Sequence, residues 1–171
     1  ESEHIFYNII WSTDNFKTIH SSSGLTSTNF VLYNLLDNTT YHWYVYTYDI
    51  WNFTTISQST FYFIADNIPQ DPLSFELVSP QNNIVLYNTF VVFYWQQTTD
   101  PDPYDEVSYV LKISSSADFT HLVFSTTTES TSFYLPQGIL EVNTTYYWTV
   151  VAVSSRSGST EAVSSPYKFF I

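Results

Sequence analysis

At 171 residues without a single cysteine, the chain is long enough for one large domain or two small ones, and it excludes disulfides, thiolate catalysis and zinc–thiolate sites. Four Lys plus Arg against sixteen Asp plus Glu give a net charge of −12, so no basic cluster exists to grip a phosphate backbone or an anionic membrane surface. Aromatic residues make up 20%, which supplies the bulky core side chains that a disordered chain lacks.

Short runs of β-branched and aromatic residues separated by polar turns extend through the whole chain, and no window has the periodicity of an amphipathic helix; this predicts an all-β fold. In the first third, alternation sorts the side chains of two strands by face. The reading puts Phe6, Ile10, Trp43 and Val45 inward, and Tyr7, Ile9, Trp11, His42, Tyr44, Tyr46 and Tyr48 outward. The outward aromatics, Tyr7, Trp11, Tyr44 and Tyr46 above all, form a candidate ligand or interface surface. Three uses stay open: stacking on sugar rings, a Tyr- and Trp-rich protein contact, or packing against a neighbouring domain of the same chain.

Asp66 to Pro72 carries two prolines and breaks the pattern, which divides the chain into residues 1–66, a linker at 67–71, and residues 72–171. In the second part, strands are predicted at 75–79, 90–96, 108–114, 122–126, 131–135, 146–153 and 167–171. No apolar run approaches the ~20 residues that span a bilayer, so membrane insertion is not expected.

The two parts repeat one another. Residues 35–45 and 140–150 share Leu, Asn, Thr, Thr, Tyr, Trp and Val at an offset of 105 (Tyr41 to Tyr146). Upstream the offset is 103: Ile10, Ser12 and Phe16 match Ile113, Ser115 and Phe119, while Thr28, Phe30 and Leu32 match Thr131, Phe133 and Leu135. By this alignment the outward residues of the first unit correspond to Val110, Lys112, Ser114, Thr149 and Val151 in the second. Phe63-Ile64 matches Phe170-Ile171 near the ends.

On these motifs the second unit resembles the fibronectin type III-like domains of prokaryotic extracellular and surface proteins. Trp95 sits where that family carries a core tryptophan, and Leu140 followed by Tyr146 resembles its tyrosine corner. The resemblance implies tandem immunoglobulin-like β-sandwiches with Tyr41, Trp43, Trp95, Leu140, Tyr146 and Trp148 in their cores. The first unit matches only the later motifs. Glu3 aligns with Glu106, and the strands that precede Glu106 have no counterpart before Glu3. Either the sequence is a fragment, or another chain donates the strands.

Asp100, Asp102, Asp105 and Glu106 crowd one proline-rich loop. Carboxylates at this density suit a hard cation such as calcium, the one cofactor suggested; the plainer reading, which needs no cofactor, is a solvated, proline-stiffened inter-strand loop. Asn38, Asn52 and Asn143 begin Asn-X-Ser/Thr sequons; at Asn38 and Asn143 the same residues are also good turn chemistry. The four histidines lack metal-ligand spacing and the three glycines form no phosphate-binding loop, so no catalysis is expected. The leading expectation is a non-catalytic extracellular or cell-surface adhesive or structural module. Its partners would be other domains or subunits of the same protein, with glycans as a further possibility and nucleic acid excluded. Two alternatives accompany it: a carbohydrate-binding accessory of a secreted polysaccharide-degrading enzyme, and a filament subunit assembled by strand donation.

Overall fold

The computed structural model describes residues 4–156 and 158–171, so the Glu3–Glu106 alignment lies outside the described residues. Every regular element among them is a β-strand, and no helix is long and apolar enough to cross a membrane. The chain divides into two compact units, Glu1–Ile68 and Pro69–Ile171.

The first unit is one antiparallel sheet. It contains β1 (Phe6–Ser12), β2 (His20–Leu25), β3 (Thr39–Tyr48), β4 (Thr54–Ile56) and β5 (Phe61–Ala65). The order is β2-β1-β3-β4, and β5 pairs with the first half of β3. A bulge sets Ser23 and Gly24 opposite Asn8 alone. Gly24 adopts φ 72, and its N–H, displaced from the ladder, donates to Asn8 Oδ1 at 2.9 Å.

The second unit is a sandwich. One sheet is β11 (Ser132–Tyr134), β8 (Val92–Trp95) and β6 (Leu77–Ser79). The other runs β10 (Leu122–Thr128), β9 (Val107–Ser114), β12 (Thr145–Ser154), β14 (Tyr167–Phe170) and β7 (Ile84–Val85), with β13 (Ser159–Glu161) also on β12. Tyr109, Leu111, Ile113, Trp148 and Val150 face Phe75, Phe93, Trp95 and Leu135 across the sandwich, all of them buried. Edge-to-face rings knit the layers, with Phe93 to Trp148 at 5.0 Å and Phe75 to Tyr109 at 5.9 Å. This is the fibronectin type III-like, immunoglobulin-like sandwich. Trp95, Leu140, Tyr146 and Trp148 are all in its core.

A tyrosine corner closes in both units. Tyr146 Oη accepts the Glu141 N–H at 2.8 Å, and Tyr41 Oη accepts the Leu36 N–H at 2.9 Å.

The repeat is real, but strand pairing corrects its register in two places. Ser114 pairs with Tyr147 and Ser12 with His42, so the matching serines are Ser12 and Ser114, at an offset of 102 rather than 103. Both are fully buried; Ser12 Oγ accepts the Asp14 and Phe16 N–H groups of the turn that follows its strand, and Ser114 Oγ accepts that of Ser116. The turn in the second unit is one residue longer, which restores 103 at Phe16 and Phe119. At the other end Phe63 pairs with Tyr41 and Phe169 with Tyr146, so Phe63 corresponds to Phe169, not Phe170.

A one-residue shift turns a strand over. Tyr7, Ile9 and Trp11 pair with Thr47, Val45 and Trp43, so they share the face of Trp43 and not that of Tyr44 and Tyr46. Their counterparts are Tyr109, Leu111 and Ile113, core residues of the sandwich. A second correction concerns Thr28 to Leu32, matched with a strand of the second unit but not a strand here. Its counterpart β11 is held by β8, and the described part of the first unit has no equivalent of β8 to pair with.

The expected linker is tied at both ends. The Asn67 and Ile68 amides donate to Asp37 Oδ1 at 2.7 and 3.0 Å, within the first unit. The Gln70 amide donates to Asp102 Oδ2 at 2.6 Å, within the second.

Candidate functional site

Three groups of residues bear on function. The acidic loop between β8 and β9 brings three of its four carboxylates together. Asp100, Asp102 and Asp105 each offer an oxygen, and the three oxygens lie within 4.8 Å of one another. Local hydrogen bonds build the loop: the Asp102 amide donates to Asp100 Oδ1 at 2.9 Å, and the Asp105 amide to the Asp102 carbonyl at 3.3 Å. Tyr104, at φ 68, takes the left-handed turn that brings Asp105 back toward Asp102. Asp105 Oδ2 accepts the Ser154 hydroxyl at 2.7 Å, while Arg156 Nε stands 3.5 Å from its Oδ1. Glu106 does not join them. Its side chain is exposed, and its backbone is fastened to Ser155 by two hydrogen bonds.

Asp102 is 5% exposed, an unusual burial for a carboxylate. Oδ2 has the Gln70 amide, but Oδ1 is shut away from water with no hydrogen-bond partner. The group borders an open polar cleft of about 770 Å³, with Tyr104, Glu129 and Ser130 on its walls. Neither Glu129 nor Arg156 carries a sequence signal for this position; only the fold brings them beside the loop.

The aromatic surface is divided. Tyr7 and Trp11 lie on the face of the first sheet that also carries Trp43 and Val45, and Tyr44 and Tyr46 lie on the other. The first face borders an open groove of about 720 Å³ with predominantly apolar walls, roofed in part by Phe30 and Leu32. Trp11 contacts Phe30 at 5.6 Å and Trp43 stacks on Phe61 at 5.0 Å. Trp43, expected as a core residue, is only half-buried here. On the opposite face Phe16 packs edge-on to Tyr44 at 5.3 Å, and Phe6 stacks on Tyr48 at 5.3 Å.

The sequon asparagines share a backbone property. Asn38, Asn52 and Asn143 are exposed and adopt φ of 50, 65 and 56, in the left-handed region that asparagine tolerates better than most residues. The turn therefore explains each asparagine by itself.

No protein-family model matches the chain, and no curated protein matches it. Among solved structures, the chain is similar to the FN1–FN3 domains of chicken CNTN1, at 12% identity and a TM-score of 0.38, over 99% of this chain and 55% of that one. The chain thus spans about half the length of that structure.

Proposed function

We propose that the chain is a non-catalytic module of an extracellular or cell-surface protein, serving as a spacer and as a contact surface for other parts of that protein. One observation carries the reading: the same corner-and-sheet architecture occurs twice in succession, each time pinned by a tyrosine hydroxyl on the turn before the long central strand. Sandwiches of this kind are widespread in cell-surface proteins, where they serve as structural and interaction modules. The contact surface is the face of Tyr7, Ile9, Trp11, Trp43 and Val45. Its counterpart in the second unit lies under β8, β6 and β11, so the partner of complementary shape is a β-sheet of similar composition from the same protein.

For the glycan-binding alternative the aromatics offer two separate surfaces, Tyr7 and Trp11 on one face and Tyr44 and Tyr46 on the other, in place of the single one expected. Antibodies raised against the chain test the location. Labelling of intact, unpermeabilised cells is expected; labelling only after permeabilisation would overturn the assignment to the exterior.

A further inference from the structure

We propose that Asp100, Asp102 and Asp105 form a calcium site in the second unit. The density of acids in this loop would not establish it, since acidic loops are usually just solvated. What singles out this one is Asp102, a carboxylate nineteen-twentieths buried whose Oδ1 is closed off from solvent and meets no hydrogen-bond donor of the protein. A bare, buried anionic oxygen is costly unless a positive charge meets it.

Arg156 does not fill that role. Its side chain is 61% exposed, and its contact is a 3.5 Å approach to Asp105, not to Asp102. Three carboxylates against one guanidinium leave two negative charges, and Glu129 on the cleft wall adds a third, so the site keeps an excess of negative charge for a divalent ion to offset. The geometry agrees. Oxygens bound to one calcium at about 2.4 Å can stand no more than about 4.8 Å apart, and the three carboxylate oxygens already meet that limit. The donors are all oxygen, without the His or Cys that zinc prefers. The open cleft beside the loop admits the ion and the waters that would complete its shell. Because the Gln70 amide is also bound to Asp102, the ion would fasten the entry of the second unit to the loop before β9.

The chain is melted in about 10 mM calcium, in magnesium at the same concentration, and in chelator, a level above the roughly 0.1–1 mM affinities typical of extracellular calcium modules. Calcium is expected to raise the melting temperature of the second unit by at least about 5 °C, with little response to magnesium. Terbium, excited through Tyr104, should bind and be displaced by calcium. Asp102→Asn should abolish the calcium response, yet melt no lower than the wild type in chelator, because it removes a buried charge and keeps an acceptor for Gln70. Should Asp102→Asn fail to fold, the half-buried Asp100→Asn carries the same test. A folded wild type with neither thermal shift nor terbium binding would overturn the site. So would an Asp100→Asn variant that responds like the wild type, or an equal response to magnesium.

Discussion

Ser12 and Ser114 show how much of this molecule is settled by single polar side chains. Each is fully buried at the end of its strand, and its hydroxyl oxygen accepts from the turn beyond, two amides at Ser12 and one at Ser114. An aspartate in each turn continues the pattern. The Thr18 backbone N–H, then the Thr18 and Ser12 hydroxyls, hold the Asp14 carboxyl down from the ordinary 3.8 to about 2. At Asp118 the Thr120 hydroxyl leads, followed by the Ser116 hydroxyl and the Thr120 amide, again to about 2. Lowered carboxyl pKa values mean that the ionised form favours the fold. Their contribution is present above about pH 4 and is lost as pH falls from there through about 2. A carbon-13 NMR titration of the folded chain should find both carboxyls half-protonated near pH 2; midpoints near 3.8 would refute the hydrogen-bonded turns. The sequence displays these Ser, Asp and Thr residues, but it does not say which of two neighbouring serines is buried. That follows from which one reaches its partner on the central strand.

At the level of elements, the strands of the second unit are legible because alternation and turn residues agree with one another. The expected strand at 108–114 is found at Val107–Ser114, and the one at 146–153 at Thr145–Ser154. The two short strands Ile84–Val85 and Ser159–Glu161 are not legible. Each has too few residues to establish a period and exists because a neighbouring strand, β14 for the first and β12 for the second, offers a free edge. Register is where letter matching misleads. Aligning Ile10 with Ile113 carries one offset through to Phe16 without a gap, yet inverts β1, and with it the faces of Tyr7 and Trp11; the paired register, which matches Tyr7 with Tyr109, has as many identities in the strand. An alternating strand is nearly as plausible either way up when both of its faces carry aromatics, as β1 does. The consequence can be measured. With Tyr7, Ile9, Trp11, Trp43 and Val45 on one open face, the chain should bind an apolar dye such as ANS, and Val45→Lys should remove most of that signal without altering the far-UV spectrum. Wild-type protein that binds no dye would contradict an accessible apolar face.

For the molecule as a whole, the difference between the units is one of burial. Among the described residues, seventeen buried ones form a continuous core in the second unit, whereas the buried apolar residues of the first are Ile10, Tyr41 and Ala65. At about 25 cal/mol per Å² of apolar surface removed from water, that contrast outweighs any difference in hydrogen bonding between two well-paired sheets. Calorimetry should therefore resolve two transitions, with the first unit melting lower. Trp148→Ala, which empties the centre of the sandwich, should cost about 3–5 kcal/mol and move only the upper one. A single transition that shifts as a whole would show instead that the units unfold together.

The all-β class, the duplication, the tyrosine corners and the crowding of acids between β8 and β9 are determined by the sequence alone. Each rests on local chemistry: the alternation of side chains, the turn preferences of Asn, Asp and Pro, and a fixed spacing from Leu140 to Tyr146. Which face Tyr7 and Trp11 occupy, which of the four acids converge, and that Asp102 is withdrawn from water were decided by tertiary structure. Those properties depend on pairing partners and neighbours far away in the chain. Gln70 lies 32 residues from Asp102 and Ser154 lies 49 from Asp105, and no local pattern encodes distances of that kind.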